Sequence, residues 1–126
     1  MTGVQITSFG YGHSEQPTAD LTIDARRNLR NPHHDPAMRT LTGLDRTVRE
    51  HVLATPGASA LVGYAVACTA ALAAATGRDV TVATGCVGGR HRSVALAEEI
   101  AAGLRSDHGM HVTVTHRDVA KPVIQS

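Results

Sequence analysis

The stretch Val80–Val94, VTVATGCVGGRHRSV, constrains the fold more than any other part of the chain. Its first residues, Val80–Ala83, are apolar with β-branched residues at alternate positions, a pattern that predicts a buried strand. Thr84–Arg92 contains several glycines, which let the backbone turn tightly and approach a ligand. From Ser93 onwards, apolar residues recur at spacings of three and four, which predicts a helix. The stretch therefore predicts a strand, a glycine loop and a helix in succession.

A loop of this kind is suited to binding an anion. It directs free backbone N–H groups towards one point, and the N-terminus of the following helix adds partial positive charge. Arg90, His91 and Arg92 add further positive charge at the same place. We therefore expect the loop to bind a phosphate group.

The same loop also has the spacing of a cysteine-dependent phosphatase. Cys86 and Arg92 are separated by five residues, and Ser93 follows. In such an enzyme Arg92 would hold the phosphate, Cys86 would attack as a thiolate and Ser93 would stabilise the leaving thiolate. The reaction also needs a general acid, for which Asp24 and Asp35 are available but not singled out by the sequence. A third alternative is purely structural, with Cys86 as a small packing residue.

The rest of the chain alternates strands with helices, which favours a single three-layer α/β domain over residues 1–126 with a largely parallel sheet of about four strands. Thr42, with Asp45 three residues later, predicts a helix cap. The segment Arg27–Arg39 has no period and holds two prolines, and long irregular segments in compact domains tend to be functional. The other predicted strands are Val4–Phe9, Leu21–Asp24 and His111–His116, and the predicted helices are Leu41–Leu53, Ala58–Thr76 and Ser93–Asp107.

Composition narrows the classes of function. Aromatic residues make up 2% of the chain and Trp is absent, so stacking platforms for single-stranded nucleic acid are scarce. The net charge of +1 provides no general attraction to nucleic acid or to an acidic membrane. His33, His34 and Asp35 form a small cluster, but adjacent histidines usually point apart, so we expect no metal and no cofactor.

Location follows from the cysteines and the apolar stretches. The chain has two cysteines, Cys68 and Cys86, and its start lacks the basic and long apolar regions of a secretory signal. We therefore expect a cytoplasmic protein with reduced thiols, although a disulfide between the two remains open. Alanine is only weakly hydrophobic, so Ala58–Thr76 is interpreted as a buried helix of a soluble domain rather than a membrane span.

Short motifs along the chain resemble those of one family in the same order. They are SFG at Ser8–Gly10, D-x-R at Asp24–Arg26, NPH-x-D at Asn31–Asp35, TGLD at Thr42–Asp45, GC-x-GG-x-HRS at Gly85–Ser93 and HR at His116–Arg117. Together they resemble the C-terminal domain of RapZ-type RNase adapter proteins and cover nearly the whole chain. Full-length family members add an N-terminal P-loop domain, and no G-x-x-x-x-G-K-[ST] sequence occurs here, so the resemblance implies a free-standing C-terminal domain.

The resemblance also implies a ligand and partners. In the family this domain binds glucosamine-6-phosphate and a small regulatory RNA, and it self-associates. It thus implies a homo-oligomeric sensor or adaptor that binds a phosphorylated amino sugar or a nucleotide sugar, with an RNA or a protein as partner, and it favours binding over catalysis. The ligand-binding residues implied by the matching motifs are Asp24, Arg26, His33, Cys86, Val87, Gly88, Gly89, His91, Arg92 and Ser93.

RNA binding is the remaining alternative and would fall on Arg117 and Lys121, after the last predicted strand. The family member that binds the small RNA has a basic run at this place. Here the stretch Asp118–Pro122 contains a single lysine, so the resemblance supports a phosphosugar ligand more strongly than RNA.

Overall fold

The computed structural model describes residues 3–27, 29 and 32–124. Within them, strands β1 (Gly3–Gly10), β2 (Leu21–Asp24), β3 (Val80–Cys86) and β4 (His111–His116) form one sheet in the order β2-β3-β1-β4. All of its strand pairs are parallel. The α-helices are α1 (Arg46–Leu53), α2 (Ala58–Thr76) and α3 (Arg92–His108), and a short 3-10 helix spans Pro32–His34. The prediction of an α/β domain with a parallel sheet of four strands is confirmed.

One face of the sheet is covered by helices. α2 and α3 pack against each other and also against the sheet, so they lie on the same side. Leu96, Ile100 and Leu104 of α3 are fully buried there, because their spacing of four directs them to one face of the helix. They meet alternate strand residues such as Val4 and Ile6, which are also fully buried.

The other face is covered at the carboxyl ends of the strands by the segment that follows β1. Phe9 is fully buried and meets Tyr11 edge-on, with ring centroids 4.7 Å apart. A Cβ atom at Gly85 would lie 2.5 Å from Tyr11 Cε2, so the aromatic pair sits directly on this glycine. Helices, sheet and this thin aromatic cover are consistent with the predicted three layers. Towards the amino ends of β1 and β4, Gln5 and Thr113 are exposed.

α1 begins at Arg46, so the prediction of a helix from Leu41 was wrong at its start. The predicted contact between Thr42 and Asp45 does form, since Thr42 N donates to Asp45 Oδ2 at 2.7 Å. It closes a turn that precedes the helix. Gly43 explains the delay: its N donates to Arg90 O at 2.8 Å, and a Cβ there would lie 2.6 Å from Ala95 N. Packing against the start of α3 fixes this backbone before the helix can begin.

β3 extends to Cys86, further than the sequence predicted, which shortens the glycine loop to residues 87–91. The extension follows from β1, because Tyr11 N donates to Cys86 O at 2.8 Å and Gly12 N to Val87 O at 2.9 Å. Backbone pairing thus continues past the last regular strand residues. Cys86 is therefore the last residue of a buried strand rather than part of a loop.

The predicted bounds of α2 are confirmed, and Gly77 ends the helix with a φ of +66°. Its expected burial was wrong for most of its surface. Val66 and Ala73 are buried, but Tyr64 is 57% exposed. Only 28% of the most apolar stretch of this helix is buried inside the protein. By length and composition α2 is the one described helix that could cross a membrane, a test that core helices of soluble proteins also pass. Both cysteines are free thiols.

Candidate functional site

A small cavity lies where β3 ends and α3 begins. The volume open to the centre of a water molecule is about 20 Å³, which is room for one water. The 3-10 helix contributes His33, and residues near the C-terminus contribute Val123 and Ile124. The remaining lining comes from the end of β3, the glycine loop and the first turn of α3: Cys86, Val87, Gly88, Arg90, His91 and Arg92. The structure thus brings six of the ten predicted ligand-binding residues to one cavity.

Glycines hold the loop in place against β1. Gly89 has a φ of +68°, a conformation that favours glycine, and a Cβ there would lie 2.5 Å from Gly10 N. A Cβ at Gly10 would lie 2.6 Å from the carbonyl carbon of Gly88. The loop therefore follows one path, and within it the N–H groups of Gly88, Gly89 and Arg90 donate to no other described residue. Free N–H groups beside a helix N-terminus can donate hydrogen bonds to an anion.

Arg92 and His91 carry the chemistry of the cavity. They are 4% and 5% exposed, respectively. Arg92 Nη1 donates to the carbonyl oxygen of Arg26 at 2.9 Å and to that of Ala25 at 3.3 Å, which fixes the guanidinium. Across the described residues, neither Arg92 Nε nor His91 Nε2 has a hydrogen-bond partner. Buried polar atoms without partners are costly, and an anion in the cavity would supply the missing acceptors.

The protonation of His91 depends on this environment. Burial lowers the pKa of His91 below its usual 6.5, because the positive form loses its hydration. Hydrogen bonding to the backbone of Leu41 opposes this effect, and the nearby positive charge of Arg90 adds to it. An anion beside the ring would reverse the balance and favour the protonated form.

Cys86 lies at the base of the cavity and is 2% exposed. Its Sγ is 3.2 Å from Ser93 Oγ and accepts a hydrogen bond from Ser93 N at 3.4 Å. Ser93 is fully buried behind the thiol and is held by Thr84 Oγ1, which donates to Ser93 O at 2.7 Å. Ser93 therefore supports the thiol and does not line the cavity.

Asp24 and Arg26 lie at the end of β2, beside Arg92 but outside the cavity lining. Arg26 Nη2 pairs with Asp24 Oδ2 at 2.7 Å, and this hydrogen-bonded pair lowers the pKa of Asp24. The Arg26 guanidinium stacks over Tyr11 at 3.7 Å from the ring centroid. Asp35, the other acid considered as a proton donor, accepts from Ala37 N at 2.9 Å in a turn.

Arg117 and Lys121, the predicted RNA contacts, are both paired with a buried carboxylate. Asp118 is fully buried and accepts from Arg117 Nη2 at 2.8 Å and from Lys121 Nζ at 2.6 Å. It also accepts from Gly10 N at 2.7 Å. Burial alone would raise the pKa of Asp118, but these hydrogen bonds outweigh it and hold the pKa at about 2.

Two structural roles are not apparent from the sequence. Arg90 was expected only to add positive charge to the loop. In the structure it donates through Nε to Leu41 O at 3.0 Å and through Nη2 to Thr40 O, so it joins the segment before α1 to the glycine loop. His116 bridges Ser8 Oγ at 2.6 Å and Glu98 Oε2 at 2.8 Å. Both sets of contacts join residues far apart in the chain, and no local pattern announces them. Among the described residues, no group of three or more ligating side chains could hold a metal ion.

Comparison with known proteins relates the chain to one family. The model of the RapZ C-terminal domain matches residues 2–120. The chain belongs to this family. A nucleotide-binding protein of Thermobifida fusca is 42% identical over 120 residues, which are 92% of this chain and 40% of the relative. A nucleotide-binding protein of Rhodospirillum centenum is 45% identical over 120 residues, which are 92% of this chain and 36% of the relative.

The RapZ C-terminal domain thus spans about two fifths of the curated relatives that it matches here. The resemblance predicted from the motifs is confirmed, and the match includes the glycine loop, the segment before α1 and Asp118. It ends at residue 120, before Val123 and Ile124, although both residues line the cavity.

Proposed function

We propose that this RapZ C-terminal domain binds a phosphorylated amino sugar similar to glucosamine-6-phosphate, or a nucleotide sugar, as a cytoplasmic sensor or adaptor. The observation that carries the proposal is that two buried nitrogens, Arg92 Nε and His91 Nε2, have no hydrogen-bond partner among the described residues and belong to residues that line one cavity. The relatives named as nucleotide-binding proteins support a phosphate-bearing ligand.

In this proposal the phosphate lies between Arg92, His91 and the N–H groups of the glycine loop. A guanidinium gives strong charge-assisted hydrogen bonds to phosphate, and a helix N-terminus favours the negative charge. Asp24, at the end of β2, provides an acceptor for a hydroxyl or amino group of the sugar. Ligand binding would then join the glycine loop to the segment between β2 and α1, and this would change the surface offered to a partner. Self-association remains a prediction, for which the exposed Tyr64 side of α2 is an available surface.

A thermal-shift assay tests the proposal with inorganic phosphate, glucosamine-6-phosphate, glucose-6-phosphate, UDP-N-acetylglucosamine and ATP. A ligand at about 100 times its Kd should add about 2.7 kcal/mol to the free energy of unfolding, which corresponds to several degrees in Tm. Arg92→Lys should remove the shift, because lysine cannot reproduce the planar guanidinium. Arg105→Lys is the matched control, since Arg105 lies on the same helix and donates to Val112 O at 2.8 Å. A panel without any shift would overturn the proposal.

A cysteine phosphatase is the second candidate, favoured by the contact between Cys86 Sγ and Ser93 Oγ. The donor of a proton to the leaving group is the weak point, because Asp24 is paired with Arg26 and Asp35 closes a turn. Cys86→Ser separates the two functions. It should abolish turnover of an aryl phosphate if the domain is an enzyme, and it should change ligand affinity only slightly if the domain is a sensor.

RNA binding receives less support. Arg117 and Lys121 share the buried charge of Asp118, so part of their positive charge is neutralised within the fold. If RNA were the ligand, its affinity would fall steeply with salt concentration and with Lys121→Ala.

A further inference from the structure

The C-terminal segment Lys121–Ile124, here called the tail, forms one wall of the cavity. Val123 and Ile124 line the cavity together with the loop residues Val87 and Gly88. A Cβ atom at Gly12 would lie 2.7 Å from Ile124 Cδ1, so Ile124 is seated directly on this glycine. The tail thus closes the cavity on the side of the segment that follows β1.

The tail is anchored at one end. Lys121 pairs with Asp118 through its Nζ at 2.6 Å, and Lys121 N donates to Asp118 O at 3.1 Å. Beyond this anchor, Pro122, Val123 and Ile124 make no hydrogen bond to any other described residue, so apolar contact alone holds them. Val123 remains 41% exposed although it lines the cavity. A segment held in this way can move aside at small cost, whereas the loop beneath it cannot.

The size of the cavity favours such a movement. Its volume of about 20 Å³ is room for one water molecule, so inorganic phosphate needs the lining to widen slightly and a hexose phosphate needs much more room. Arg92, Cys86 and the loop are fixed by hydrogen bonds and close backbone contacts, while Val123 and Ile124 are not. The tail also lies outside the residues matched by the family, which end at 120.

We propose that Val123 and Ile124 determine the size of the ligand that this site accepts, because the tail must leave its seat before a sugar phosphate can bind. This inference rests on the proposed function. Inorganic phosphate needs only a small shift of the tail, whereas a sugar phosphate binds only the fraction of molecules whose tail is displaced, which weakens its apparent affinity by that fraction.

The test compares affinities for inorganic phosphate and glucosamine-6-phosphate by calorimetry in the whole chain and in a variant that stops after Pro122. The truncation should strengthen glucosamine-6-phosphate binding about tenfold, equivalent to about 1.4 kcal/mol, and change phosphate affinity by less than about threefold. Gly12→Ala should act in the same direction without removing any of the tail, because its new Cβ would lie 2.7 Å from Ile124 Cδ1. The same Cβ would lie 3.1 Å from Val87 O, so any effect that persists in the truncated chain measures the contact with the loop rather than with the tail.

Gly63→Ala on α2 is the matched control, since a Cβ there meets nothing within 4 Å. Equal glucosamine-6-phosphate affinities in the whole and truncated chains overturn the inference and leave the proposed function intact. Loss of phosphate binding on truncation overturns it as well, because the tail would then be part of the anion site itself. Absence of binding to either ligand in both chains overturns the inference together with the proposed function.

Discussion

Two positively charged regions meet at the end of β1, and they differ in how their charges are satisfied. At the start of α3, Arg92 and His91 are buried, and within the described part of the chain each keeps a side-chain nitrogen without a hydrogen-bond partner. After β4, Arg117 and Lys121 both pair with the fully buried Asp118. The second region encloses a buried counter-charge, whereas Asp24, whose charge acts on Arg92, is paired with Arg26 and partly exposed. Among the described residues, clustered basic side chains therefore indicate a ligand where they keep free donors, and a structural anchor where they enclose a carboxylate.

The largest expected effect removes the counter-charge of the structural region. Asp118→Asn should lower the free energy of unfolding by about 3 kcal/mol at pH 7, because it leaves Arg117 and Lys121 without a buried partner charge. Urea denaturation measures the change, and Asp107→Asn, at an exposed position at the end of α3, serves as the control. If Asp118→Asn instead abolished ligand binding in a stably folded protein, the two regions would not be separate in function.

The same carboxylate predicts a pH dependence with a definite sign. Its pKa is lowered from 3.8 to about 2 in the folded protein, so its stabilisation is fully present above pH 3.8 and is lost as the pH falls towards 2. The difference in stability between the wild type and Asp118→Asn should shrink by about 2 kcal/mol over that interval. A constant difference would show that the pair contributes through packing rather than charge.

A smaller effect concerns the unsatisfied region. Sulfate, whose charge is constant over this range, should bind about three to ten times more tightly at pH 5.5 than at pH 8, because the bound anion favours protonated His91. Burial lowers the pKa of His91 and so disfavours the protonated ring in the free protein, whereas the bound anion favours it. His91→Gln should flatten the profile measured by calorimetry, and His51→Gln on α1 should not. An equal slope in His91→Gln would assign the protonation to another group, with His33 in the cavity lining as the first to examine.

The smallest effect decides whether the end of β2 belongs to the site. Asp24→Asn should change stability by less than about 1 kcal/mol, because the pair with Arg26 is roughly two fifths exposed on each side. We expect glucosamine-6-phosphate to bind about three times more weakly while inorganic phosphate is unaffected, since Asp24 lies on the sugar side of the proposed site. A parallel loss for both ligands would place Asp24 in the phosphate site instead.

Local patterns predicted what depends on local chemistry. The alternation in β4 and the glycine after α2 gave correct bounds, because strand faces and helix ends are determined by neighbouring residues. The predicted start of α1 was wrong because Gly43 packs against the start of α3. Those residues lie nearly fifty positions away in the chain, so no local pattern contains them. The end of β3 was misplaced for the same reason, since β1 extends the pairing.

The candidate site divides in a similar way. The motif around Cys86 brought most of the lining residues to one cavity, since they are close in sequence and share one turn. Asp118 and the two tail residues were not predicted, because their roles arise from contacts with Gly10 and Gly12 at the other end of the chain. The exposed side of α2 was also missed, since an alanine-rich pattern does not show which face is covered.

The hydrogen bond from Gly10 N to Asp118 spans 108 residues and lies directly against Gly89. The glycine loop is therefore held between the first strand and the turn after the last strand. The shape of the loop thus depends on residues from both ends of the fold, which must meet before the loop is complete. A ligand that recognises the finished loop would therefore select molecules in which Gly10 and Asp118 are already paired.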